Sequence, residues 1–270
     1  MTNLQALILG IVQGITEFLP ISSSGHLVLV PYLLNWQIPE TQIFVFDVLV
    51  QLGTLVAVVI YFRNDLWRII TAFLTSFWKK EAYSQPDVRL GLFIILATIP
   101  AVLFGLLFKD TFEAAFSNPR MTAAFLAFTA LLLIGGESLS KRTRPITEIT
   151  WLDSLIIGSF QVLALFPGVS RSGATITGGM TRDLDRPAAA RFSFLIAVPA
   201  LFGAGVLTIF DLLEVPNLGE FLLPMAIGFI AAGVVGYFSI HWLLRYLAKN
   251  KLYYFAAYLV LLSTLVLVFK

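Results

Sequence analysis

The chain has 270 residues, is 58% hydrophobic and only 13% charged, with a mean hydropathy of +0.88; this balance excludes an ordinary soluble domain. A net charge of +2 gives no basic field for nucleic acid. The absence of cysteine excludes disulfides, thiolate metal sites and cysteine-phosphatase chemistry, and two histidines, His26 and His241, exclude a His-rich metal centre.

Taken in order, residues 4–18 are apolar but too short to cross a bilayer, reaching only about 22 Å as a helix. They carry no Lys or Arg, so the N-terminus reads as mature structure rather than a cleavable signal. Pro20 and a Ser/Gly turn follow, then apolar residues 27–34; the segment reads as a re-entrant helix hairpin. Six segments approach a full span: about 44–62, 90–108, 121–139, 191–210, 221–243 and 252–269. Residues 64–78 mix Trp67, Phe73, Phe77 and Trp78 with Asp65 and Arg68, the pattern of an interfacial amphipathic helix. Residues 152–166, ending at Pro167 and Gly168, predict a second re-entrant hairpin. Asp185–Arg186–Pro187 reads as a helix start. His241, beside Trp242 at a span end, reads as an interface anchor.

Loop charge sets the orientation. Basic residues crowd loops 63–89 (Arg63, Arg68, Lys79, Lys80, Arg89), 140–151 (Lys141, Arg142, Arg144), 182–191 (Arg182, Arg186, Arg191) and 244–251 (Arg245, Lys249, Lys251). Loop 211–220 has only acids, Asp211, Glu214 and Glu220, while loop 109–120 is mixed, with Lys109, Asp110, Glu113 and Arg120. Threading six spans through these loops puts the four basic loops in the cytoplasm and both termini outside.

An internal repeat runs at a constant offset of 148 residues. Gly10, Gln13, Phe18, Ser22, Ser24 and Gly25 recur as Gly158, Gln161, Phe166, Ser170, Ser172 and Gly173, and Phe44 and Phe46 recur as Phe192 and Phe194. Ser23 of the first copy becomes Arg171 in the second. The spans after each hairpin run in opposite directions. The predicted fold is therefore an all-α polytopic membrane protein: one membrane domain, 1–270, of two inverted-topology repeats (about 1–140 and 150–270), with six full spans plus two re-entrant helix hairpins meeting near the midplane.

Charged groups at that depth cost roughly 2.5–3.5 kcal/mol each on insertion scales. Glu17 and Arg171 both fall at hairpin tips, with His26 and a run of hydroxyls. Arg171 offers a planar fork for phosphate oxygens. Ser22, Ser24 and Gly25, with Ser170, Ser172 and Gly173, can present hydroxyls and backbone N–H groups to the same anion. Glu17, with Gln13 one helical turn earlier, is the candidate ligand set for a divalent cation, Mg²⁺ or Ca²⁺, bridged by substrate phosphate. His26 can move a proton near neutral pH. Ser23 can act as nucleophile or as a phosphate donor while water attacks, and the sequence does not choose between them. The plain alternative is a Glu–Arg pair that only fixes the hairpins.

The stretches Glu17–Phe18–Leu19–Pro20–Ile21–Ser22–Ser23–Ser24–Gly25–His26 and Pro167–Gly168–Val169–Ser170–Arg171–Ser172–Gly173–Ala174–Thr175 resemble the two signatures of the undecaprenyl-diphosphatase family of the integral-membrane, bacitracin-resistance type. The likeness covers essentially the whole chain, including Phe192–Ser193–Phe194. It implies a bacterial inner-membrane enzyme, cation-dependent and open to the outer face, that releases the terminal phosphate of undecaprenyl diphosphate and recycles the lipid carrier of cell-wall synthesis. By position, Glu17 matches the second acid of the family's Glu/Gln-x-x-x-Glu element, and Gln13 stands where many members carry the first. Ser23, His26 and Arg171 match its proposed nucleophile, catalytic histidine and phosphate-binding arginine. The rival reading is a transporter or flippase of the carrier lipid on the same repeat. The implied partners are a polyprenyl diphosphate lipid and the membrane; a homodimer is left open.

Overall fold

The computed structural model describes residues 1–76, 85–108, 111–112, 118–213 and 218–269. The described residues form helices α1 (Asn3–Thr16), α2 (Ser23–Leu33), α3 (Glu40–Tyr61), α4 (Arg63–Ser76), α5 (Pro86–Leu107), α6 (Pro119–Leu139), α7 (Trp151–Leu163), α8 (Arg171–Thr181), α9 (Arg186–Leu213), α10 (Leu218–Leu247) and α11 (Tyr253–Phe269), with a 3₁₀ turn at Ile146–Glu148. Phe77, Trp78, Lys79, Lys80, Lys109, Asp110, Glu113 and Glu214 lie outside the described residues, as do the side chains of Phe44, Asp211 and Glu220.

Helix starts follow local chemistry. α1 and α7, repeat-related in sequence, both open on a threonine capping box: Thr2 with Gln5, and Thr150 with Asp153. α5 and α6 carry Pro86 and Pro119 in the first turn, where a missing N–H costs nothing. α9 starts at Arg186, as expected, with Asp185 accepting from the N–H of Ala188 at 2.7 Å.

Among the described residues, four helices are long and apolar enough to cross a membrane: Pro86–Leu107, Pro119–Leu139, Arg186–Val206 and Phe221–Leu247. They carry outward-facing apolar side chains such as Leu107, Phe202, Leu223 and Ile230, a surface suited to hydrocarbon rather than water. This is a multi-pass membrane protein. The expected span 44–62 corresponds to α3, which ends at Tyr61 before a 78° bend into α4, and the expected span 252–269 corresponds to the 17-residue apolar α11. At the bend, Asp65 enters the first turn of α4, and α4 buries Ile69 while Trp67, Ile70 and Leu74 stay exposed. This is the amphipathic pattern expected of that stretch.

Close packing in the membrane relies on small residues. An added Cβ at Gly10 would lie 2.5 Å from the Gly228 carbonyl oxygen on α10; at the repeat-related Gly158 it would lie 2.4 Å from the Ala97 oxygen on α5. The tip of the first hairpin packs on α9 through Phe18 and Phe194, edge to face at 5.4 Å.

The base of the second hairpin is clamped by ions. Buried Asp153 accepts from Arg182 Nε at 2.7 Å and from Arg144 at 2.7 and 3.4 Å. Buried Glu137, at the end of α6, accepts from Arg186 (2.6 Å, twice), Arg142 (2.7 Å) and the N–H of Leu252 (2.9 Å). These two carboxylates tie α6, α7, α8, α9 and the start of α11 into one frame.

Gly158→Ala forces α5 and α7 apart and should lower the thermal midpoint of the detergent-solubilised protein, at about 1–3 kcal/mol. Gly135→Ala, where a Cβ meets nothing within 4 Å, should leave it unchanged or raise it. Asp153→Asn strands two guanidiniums and should cost about 2–4 kcal/mol, somewhat under the range for fully buried pairs because both arginines reach solvent.

Candidate active site

The two helix–turn–helix tips present nearly the same caps. Ser22 precedes α2 and its Oγ accepts from the N–H of Gly25 at 3.2 Å; Ser170 precedes α8 and its Oγ accepts from the N–H of Gly173 at 3.0 Å. Each cap also meets the serine two residues on: Ser22 with Ser24 at 3.3 Å, Ser170 with Ser172 at 3.1 Å. The Gly25 and Gly173 amides are thus taken by the caps. The first-turn amides of Ser23, Ser24, Arg171 and Ser172 are not used by them. Ser22 holds a φ of +71°, a conformation unusual for a side-chain-bearing residue. The Thr129 hydroxyl supports the second tip, accepting from the N–H of Ser170 at 3.1 Å.

The tips interlock reciprocally. The Ser172 hydroxyl donates to the carbonyl of Leu19 at 2.9 Å, and the N–H of Gly168 donates to Ser24 Oγ at 3.5 Å. These two serines therefore hold tip to tip.

Glu17 is the meeting point. Its Oε2 accepts from Ser23 Oγ at 2.6 Å and from Gln13 Nε2 at 3.0 Å, while Oε1 accepts from Arg171 at 2.9 Å. Glu17 is 6% exposed and Gln13 fully buried. Because a carboxylate only accepts, the Gln13 NH₂ must face it, which leaves Gln13 Oε1 as a buried oxygen without a partner. A second N–H of Arg171 donates to the Ser193 carbonyl at 3.3 Å, and the Ser193 hydroxyl bonds Thr175 at 2.6 Å. The guanidinium has five N–H groups, so donors remain for an anion.

His26 points elsewhere. Its Nδ1 lies 2.7 Å from the Ser22 carbonyl and its Nε2 lies 2.7 Å from the Tyr258 hydroxyl on α11. A carbonyl can only accept, so Nδ1 carries the proton. His241 Nδ1 pairs with the Tyr61 hydroxyl at 3.2 Å, and Trp242 stacks on Tyr246 at 5.0 Å.

All the expected site residues thus fall on the two tips or the turns beside them. Gln13, Glu17, Ser23 and Arg171 share one network; His26, one turn beyond Ser23, is paired apart from it. The sequence reading missed Tyr258, Ser193, Thr175 and Thr129. Thr175 and Ser193 lay within quoted stretches, but Tyr258 is an ordinary tyrosine in an apolar run.

The profile of the family described as Bacitracin resistance protein BacA matches residues 6–265. Among relatives, an undecaprenyl-diphosphatase of Rubrobacter xylanophilus is 44% identical over 263 residues, covering 97% of this chain and 96% of that protein. One of Chloroherpeton thalassium is 42% identical over 278 residues (99% and 96%), and one of a Nocardioides species 44% over 270 (98% and 96%). A likeness that takes in both hairpin tips and nearly every residue between the termini shows that this chain belongs to the BacA family.

Proposed function

We propose that this protein hydrolyses undecaprenyl diphosphate to undecaprenyl phosphate and inorganic phosphate. The reading is carried by the Glu17 carboxylate, which holds a serine of one tip and an arginine of the other, in a chain whose relatives bear that enzyme's name. The surrounding architecture is two inverted repeats with six spans and two re-entrant hairpins, the basic loops cytoplasmic, in the inner membrane of a bacterium, and the site open to the outer face. The matched caps of the two tips and the matched close approaches at Gly10 and Gly158 support the repeat.

In the first step, Ser23 Oγ gives its proton to Glu17 Oε2 and attacks the terminal phosphorus. The bridging P–O bond breaks and undecaprenyl phosphate leaves. Arg171 and the first-turn amides of α2 and α8 stabilise charge on the transferred phosphoryl, where positioning and electrostatics supply most of the rate. In the second step, water attacks the phosphoserine and its proton reaches His26 Nε2 by way of the Tyr258 hydroxyl already bonded there, which gives up its own proton as it takes the water's; Ser23 leaves, recovering a proton from Glu17. No group of three or more acidic or histidine side chains converges among the described residues. The donors present nevertheless suit a hard cation of the Mg²⁺ or Ca²⁺ type, which takes one or two protein oxygens beside substrate phosphate. Glu17 and the orphaned Gln13 Oε1 would hold it, and it would neutralise diphosphate charge.

Purified wild type should release phosphate steadily from undecaprenyl diphosphate. Glu17→Ala and Arg171→Ala should each lower that rate by about 10²-fold or more. Carrier movement across vesicles with no phosphate release by wild type would instead establish a transporter. A chelator should abolish release and added Mg²⁺ or Ca²⁺ restore it, and Gln13→Glu should lower the cation concentration needed for half-maximal rate. A rate indifferent to chelator would refute the cation's role.

A further inference from the structure

The imidazole of His26 is held from two sides by groups of different kinds. The Ser22 carbonyl takes the Nδ1 proton, and the Tyr258 hydroxyl meets Nε2, each at 2.7 Å. The two rings are nearly parallel, 9° apart, with centroids at 5.7 Å. Ser22 belongs to the same turn of chain as His26 and moves with it. Tyr258 lies 232 residues away in sequence, on a helix locked in place by its own packing: Phe255, Ala256 and Leu259 are buried, and the Ser263 hydroxyl donates to the Ala123 carbonyl on α6 at 2.7 Å. Tyr258 itself is 41% exposed, whereas His26 is 6% exposed. The phenol therefore stands at the outer edge of the pair and supplies the one fixed contact to Nε2.

We propose that Tyr258 both holds His26 and hands it the proton in the hydrolysis, an inference that rests on the function proposed above. One bond to Ser22 leaves the ring free to swing about its side-chain torsions; a second bond from another helix fixes its plane and tautomer. A phenol also suits both states of the ring. It donates to Nε2 while that nitrogen is bare, and by rotation of its O–H it accepts from Nε2–H once the ring has taken a proton. The oxygen need not move.

Tyr258→Phe keeps the ring and removes the hydroxyl. With purified protein and undecaprenyl diphosphate, kcat should fall about tenfold, the upper end of one hydrogen bond's worth, with KM within about twofold. In a His26→Ala background the same change should cost nothing further. Loss confined to KM, an unchanged kcat, or an equal loss without His26 would overturn the proposal. A second measurement needs no variant. The chain has only two histidines, so ¹⁵N-imidazole spectra of wild type report His26 cleanly. A single Nδ1–H form with a hydrogen-bonded Nε2 is expected, and an Nε2–H form or a mixture would refute the pairing. Wild type that releases no phosphate but shows the expected spectrum would refute the hydrolase reading and leave the pairing standing.

Discussion

The Glu17–Arg171 ion pair is the constraint to which the rest of the structure answers. Two full charges sit at hairpin tips, with side chains only 5% and 15% exposed. Removing either partner would leave the other charged and nearly dry, a change that typically costs 3–5 kcal/mol. The pair alone would be a poor stabiliser, since desolvation opposes attraction. What makes it tolerable is the company: Ser23 and Gln13 on one end, the Ser193 carbonyl on the other. Each of those groups must be delivered by a different helix, and so the pair dictates how α1, α2, α8 and α9 meet.

The two tips share a scaffold and divide the chemistry. Both keep Ser–x–Ser–Gly and the same cap, but the position of Glu17 is Leu165 in the second copy, and the position of Ser23 is Arg171. The carboxylate and the serine it holds thus stand on one copy and the guanidinium paired with it on the other. Gln161 shows what the second copy lacks: it is 2% exposed and neither amide atom has a protein partner, whereas its counterpart Gln13 bonds Glu17.

Much of this was legible before any coordinates. Glu17 and Arg171 stood out because charge inside an apolar run is expensive, and the constant offset tied their stretches together. The caps were not legible: the sequence marks Ser22 and Ser170 as hydroxyl donors to an anion, whereas each Oγ accepts from the glycine amide three residues on. Tyr258 was not legible: a tyrosine in a terminal apolar run reads as an interface anchor, and only folding brings it to His26. Asp153 and Glu137 were equally silent, since an acid near a helix end reads as a cap or a solvated charge. Their role as clamps depends on arginines brought from other elements. The ends of segments 44–62 and 252–269 were legible because apolar composition stops there: Arg63–Asn64–Asp65 follows the first and Asn250–Lys251 precedes the second.

The reciprocal serines have a bearing on how the two halves of the molecule can move. Ser172 grips the first tip by Leu19, the first tip grips Gly168 through Ser24, and the ion pair lies between them. A rocking motion that parted the two tips would have to undo all three fastenings together, each made by groups that are buried or partly buried. Such a seam favours a stationary workbench, to which the lipid headgroup travels, over a hinge that carries it across.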